Sequence, residues 1–219
     1  MLSVFFVLAG IQACLAVAGA VLFLATPKSK RANLLPIGLL LIASASTDIA
    51  GFVLFFVFQK GSNLLQNIYT IAETVLIIVF FRNALGKTGT LSIYNFSILV
   101  FVTFSIINLT SFQGVHTINS YTKAGGGFLV IIFCLTYFYY LIQNLPAENL
   151  ASIPSFWIAT GILVHTAGAI IIFIFTDYLV NVMKNNLIYY WSFHNLLVIT
   201  KHVMVLIGLW KNRQTPRLA

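Results

Sequence analysis

The stretch "YYWSFHNLLVITKHVMVLIGLWKNR", Tyr189 to Arg213, decides the fold. At 1.5 Å per residue it is long enough to cross the roughly 30 Å hydrocarbon core of a bilayer as one helix. It nevertheless carries His194, Asn195, Lys201 and His202 in its interior. The rest of the chain places it in a membrane: of 219 residues, 60% are hydrophobic and 7% charged, with a mean hydropathy of +0.98. No ordinary soluble domain has that composition. The stretch therefore reads as a membrane span holding ionisable groups at a depth where each is costly.

Outward from it, seven apolar segments are expected, at about 2–26, 35–58, 64–81, 91–112, 124–143, 155–176 and 187–210. Runs of this length argue for helices and against the alternating pattern of a β-barrel. The expected fold is an all-α integral membrane protein, a single seven-transmembrane helix bundle over 1–219. Connections are short, the longest expected from Gln113 to Lys123, which leaves no room for a soluble domain between spans. Basic residues are asymmetric. Lys28, Lys30, Arg31, Arg82, Lys87, Lys211, Arg213 and Arg217 fall on one side, against Lys60, Lys123 and Lys184 on the other. The positive-inside rule then puts the amino terminus outside and the carboxyl terminus inside.

The net charge of +8 is accordingly a topology signal beside the lipid bilayer, and no nucleic-acid partner is expected. Cys14 and Cys134 sit in apolar runs, where a thiol acts as a small hydrophobe. The first span starts at residue 2 without a basic leader and reads as a retained helix. All five prolines, Pro27, Pro36, Pro146, Pro154 and Pro216, fall at span ends or in loops, and no internal repeat is found. Both observations count against a transporter built from inverted halves with broken helices. The triplet "GGG" at 125–127 opens the fifth span and is expected to permit close packing or an irregular start.

Helical spacing gathers the polar residues of four spans onto faces. Ser44, Thr47, Asp48 and Gly51 share one in the second span, and Gln66, Tyr69, Thr70 and Glu73 one in the third. Trp157, Gly161, His165 and Gly168 form a stripe in the sixth, with glycines that admit a neighbouring helix. In the seventh, His194 and Lys201 are seven residues apart and nearly superpose, while Asn195 and His202 form a parallel pair on an adjoining face. Asp48, Glu73 and His165 lie near their span centres, with His194 somewhat outward and Lys201 somewhat inward. A lone charge at such depth costs about 2.5–3.5 kcal/mol on insertion scales, so Lys201 is expected to pair with Glu73 or Asp48. Ser44, Thr47, Thr70, Asn108 and Thr160 read as interhelical hydrogen-bonding residues, and His116 as a solvated loop residue.

Several chemistries fit these residues. Lys201 as a Schiff-base anchor and Glu73 as its counterion would make retinal the cofactor. Against microbial rhodopsins, however, Leu197 occupies the place of their usual acidic partner, and the third span has no tryptophan. A metal-dependent membrane hydrolase would draw on His165 or His194 with a carboxylate. His194 and His202 are about 12 Å apart along one helix and cannot share an ion. A proton or ion path, or a small-molecule transporter or channel, could run through Glu73, Lys201 and His194.

The segments "NIYTIAETVLIIVFF" at 67–81, "SFWIATGILVHTAGAIIIFIF" at 155–175 and "WSFHNLLVITKHVMVLIGLWK" at 191–211 resemble a family. It comprises uncharacterised bacterial seven-helix membrane proteins related to the membrane input regions of sensor histidine kinases. The resemblance picks out Glu73, Trp157, Gly161, His194, Asn195 and Lys201. It implies a sensory role in a bacterial inner membrane. The sequence given ends eight residues after Lys211, so the signal is expected to pass to a separate cytoplasmic or membrane partner. The expected function is a receptor-like protein that binds a small ligand or proton. Its midplane site is expected to include Asp48, Glu73, Trp157, His165, His194, Asn195 and Lys201.

Overall fold

Apolar runs with no polar partner for the backbone must satisfy their own N–H and C=O groups, and only a helix does so within one segment. Accordingly the computed structural model, which describes residues 2–85, 91–144, 149–183 and 186–214, has no strand among them. Lys87, Pro146, Lys184, Pro216 and Arg217 lie outside the described residues. Seven helices are long and apolar enough to cross a membrane. They are α1 (Leu2–Leu24), α2 (Leu35–Phe56), α3 (Asn63–Leu85), α4 (Leu91–Ile107), α5 (Ser120–Asn144), α6 (Pro154–Ile174) and α7 (Leu187–Gln214). A proline sits in the first turn of α2 and of α6, where its missing N–H removes no helical bond.

Two boundaries differ from expectation in ways that matter. Helix α5 begins at Ser120, so Lys123 belongs to its first turn and not to a loop. Helix α4 ends at Ile107 and continues as a π-helical turn, Asn108–Phe112, which carries the buried Asn108. From this turn a polar network ties down the α4–α5 connection. The Asn108 side-chain amide donates to Gln113 Oε1 at 3.0 Å, Thr122 Oγ1 at 3.2 Å and the Asn119 amide oxygen. Asn67 of α3 reaches across to donate to the carbonyls of Val115 and Thr117 at 3.1 and 3.0 Å.

The helices pack as a closed ring of six. Neighbours run α1–α2–α3–α5–α6–α7 and back to α1, with α4 outside the ring against α3 and α5. Lipid tails are as apolar as leucine, so hydrophobic transfer does not hold these helices together; close packing must. The α6–α7 seam shows how. A Cβ on Gly161 would stand 2.6 Å from Met204 Cβ and 3.0 Å from the Lys201 carbonyl, and one on Gly208 would stand 2.8 Å from the Pro154 carbonyl. The expectation of a glycine-assisted contact in the sixth span thus corresponds to a real close approach.

The buried apolar residues concentrate in one half of the bundle. Phe80, Phe81, Phe133, Tyr137, Ile162 and Leu209 belong to a single core cluster in the half that holds the end of α1 and the start of α2. Tyr137 and Ser155 share a hydrogen bond of 2.6 Å that joins α5 to α6 there. Gly161→Ala is expected to lower unfolding stability by about 1–3 kcal/mol through overpacking. Gly10→Ala, where nothing lies within 4 Å, leaves the midpoint level or raises it. Thermal unfolding of the two purified variants in detergent checks the contrast.

Candidate functional site

The opposite half of the ring encloses a cavity of about 450 Å³. Its wall comes from all six ring helices and none of it from α4. The polar faces read from helical spacing are the ones it collects: Ser44, Thr47 and Asp48 from α2, and Gln66, Tyr69, Thr70 and Glu73 from α3. Most of the lining lies toward the bundle end where α1 begins and α2 ends, with Ser44 and Ile77 at its deep end. The cavity reaches that end at Ser62, Asn63 and Ile118.

At its floor, Lys201 Nζ of α7 bonds Glu73 Oε1 of α3 at 2.5 Å. The lysine side chain is 4% exposed and the glutamate 18%, so the pair is nearly desolvated. The contact with Gly161 explains the reach: α6 covers the Lys201 backbone, and the side chain extends into the ring. Of the two partners expected for Lys201, Glu73 is the one in contact. Asp48 instead accepts from Gln12 Nε2 of α1, at 3.2 Å to Oδ1 and 3.4 Å to Oδ2.

Higher in the cavity the wall is aromatic. His194 stands edge-on to His165, Phe173 and Trp191, with ring centroids at 5.6, 5.4 and 5.8 Å. Lys123 Nζ lies 5.0 Å from the centre of the Phe173 ring, a cation–π contact. Three buried side-chain atoms in this region lack a hydrogen-bond partner in the protein: Gln12 Oε1, His165 Nε2 and Asn195 Nδ2.

Six of the seven expected site residues, Asp48, Glu73, His165, His194, Asn195 and Lys201, therefore meet around one cavity. Trp157 does not join them. Its indole donates to the Ala151 carbonyl at 2.8 Å and its ring lies 5.8 Å from Lys211 Nζ, at the far end of α6. Seven residues and about two turns separate it from the cavity face, and the stripe it shares with His165 does not bring it to the same depth. His202 is buried away from the lining, with Nδ1 unpartnered in the protein.

Gln12 and Lys123 are two lining residues, both partners in the site's polar contacts, that sequence reasoning missed. Gln12 is the single amide in an otherwise apolar first span, a signal that was available. Lys123 was hidden by its assignment to a loop. As for metals, His165 and His194 are neighbours, but no group of three His, Cys, Asp or Glu side chains is placed to hold an ion among the described residues. No family model matches the chain, nor does any curated protein or solved structure.

The ion pair makes a separable prediction. Removing one partner strands the other charge, so Lys201→Met alone should cost about 3–5 kcal/mol. Combined with Glu73→Gln, the loss should largely recover. A double-mutant cycle on thermal unfolding measures the coupling, and a double variant no more stable than Lys201→Met would show that the pair is not the source.

Proposed function

We propose that this chain is a receptor-like membrane protein that takes a small ligand into the cavity and signals to a separate partner. The carrying observation is the division of the bundle: a charged cavity at one end, an aromatic core filling the other. A cavity of about 450 Å³, walled by apolar and aromatic side chains with a few converging polar groups, is the usual form of a small-molecule site. The gathering of Lys28, Lys30, Arg31, Lys211 and Arg213 at the apolar end supports an amino terminus and a cavity mouth on the outside. The ligand then enters from the extracytoplasmic side, and the apolar half couples helix packing to the basic inner face. The resemblance to sensor-kinase input regions supports this reading and a bacterial inner membrane.

The runner-up is a transporter caught with one side open. It would require the apolar half to part, and it predicts substrate or proton flux in liposomes that Glu73→Gln abolishes. A retinal protein would instead show a visible chromophore that hydroxylamine bleaches.

Access is directly testable. In a Cys14→Ala background, chosen because Cys14 is exposed and Cys134 buried, Ser62→Cys at the cavity mouth should react with a membrane-impermeant charged thiol reagent added outside intact cells. A bound ligand should slow that reaction. Labelling only from the cytoplasmic side would overturn the proposed orientation, and no protection by any small molecule in a broad screen would overturn the receptor reading.

A further inference from the structure

We infer that the cavity binds a zwitterion whose two charges are separated by a hydrocarbon spacer, its cationic end at Asp48 and its anionic end at Lys123. The inference rests on the receptor reading above and names the class of ligand.

Four formally charged side chains line the cavity: Asp48, Glu73, Lys123 and Lys201. Two of them cancel, because Glu73 and Lys201 form the one ion pair among the described residues. The remaining two have opposite signs; Asp48 lies within electrostatic range of Lys201 and Glu73, and Lys123 of Glu73, but neither is in direct contact with a counter-charge among those residues. Asp48 is held by the Gln12 amide, and Lys123 rests over the Phe173 ring. Neither arrangement discharges the cost of a charge at this depth as a full counter-charge would.

They form no ion pair with one another, and they sit at different depths along their helices. Asp48 lies eight residues in from the Phe56 end of α2, about 12 Å deep. Lys123 lies three residues in from Ser120 of α5, about 4.5 Å deep. An ammonium at Asp48 would also bring a donor to the second face of the Gln12 amide, whose Oε1 is buried without a partner in the protein. An anion at Lys123 would stay beside the rings of Phe173, Trp191 and His194. Ile170 and Val198 add apolar surface to the cavity lining that a spacer can meet. An α-amino acid carries its charges on adjacent groups and cannot reach both; an ω-amino acid can.

The protein in lipid nanodiscs should be titrated with glycine, 4-aminobutanoate and 6-aminohexanoate, and with pentylamine and hexanoate as single-charge controls. The longer ω-amino acids should bind about tenfold or more tightly than either control and than glycine. Lys123→Gln should bring their affinity down to that of pentylamine while leaving pentylamine unchanged. Asp48→Asn should bring it down to that of hexanoate. A control that binds as tightly as the best ω-amino acid, a Lys123→Gln variant that weakens pentylamine equally, or no binding of any probe would overturn the zwitterion. Because protection of Ser62→Cys by any other small molecule would survive those results, the receptor reading is tested apart from this one.

Discussion

A charge cannot be left alone in hydrocarbon, and the contact between Lys201 and Glu73 is how this bundle meets that constraint. The two residues belong to α7 and α3, which face each other across the ring and are not packed neighbours. The pair therefore acts as a strut through the middle of the bundle. It fixes how far apart two opposite walls can stand at that depth. It needs α6 pressed onto α7 at Gly161 to shield the lysine's stem, and it needs α3 rotated so that Tyr69, Thr70 and Glu73 face inward together. Once these conditions hold, the polar faces of the other helices have one interior to share.

The strut also divides the molecule physically. On the side away from the cavity the ring is filled by large side chains, with Phe81 and Tyr137 ring centroids 5.8 Å apart, and Tyr94 of α4 stacks on Phe133 of α5 at 5.0 Å. Dense packing of this kind carries the cohesion that hydrophobic transfer does not supply inside lipid. On the outer side, discrete hydrogen bonds and one cavity replace that packing. Stability is not uniform across such a structure, and the half with fewer apolar contacts is the half that opens at lower free energy. The polar half is thus suited to rearrange while the apolar half keeps the helices in register.

Much of this was legible in the chain. Helix count follows from the length of the apolar runs, and the inward faces of α2, α3 and α7 follow from spacings of three, four and seven. Lys201 was expected to pair with Glu73 or Asp48, because a lone charge at that depth is costly, but spacing alone does not choose between the two carboxylates. Ring order was not legible, because every span is apolar enough to face lipid and no single helix encodes its neighbour. That α4 lies outside the ring could not be read for the same reason. Trp157 was drawn in by a stripe that gives direction around a helix but not depth along it. Lys123 was lost to a boundary: the residues before "GGG" are polar enough to read as loop, yet Asn108 donates to Thr122 Oγ1 and the Thr122 N–H donates to Asn119 Oδ1, which organises that turn and starts α5 early.

That early start has a mechanical consequence. Lys123 owes its place in the cavity wall to the first turn of α5, and that turn is held by the network running from Asn108 through Gln113, Asn119 and Thr122. The same connection hangs from Asn67 of α3 by two bonds to backbone carbonyls. Asn67 and Glu73 are six residues apart on one helix, so the loop that positions Lys123 and the carboxylate that holds Lys201 are rigidly linked through less than two turns of α3. A displacement at the mouth must either break the Asn67 bonds or move α3. Moving α3 acts on the strut across the ring, and through it on α7, the helix whose last turn carries Lys211 and Arg213. The continuous physical contact that coupling between distant sites requires is therefore present from the cavity mouth to the opposite end of the bundle.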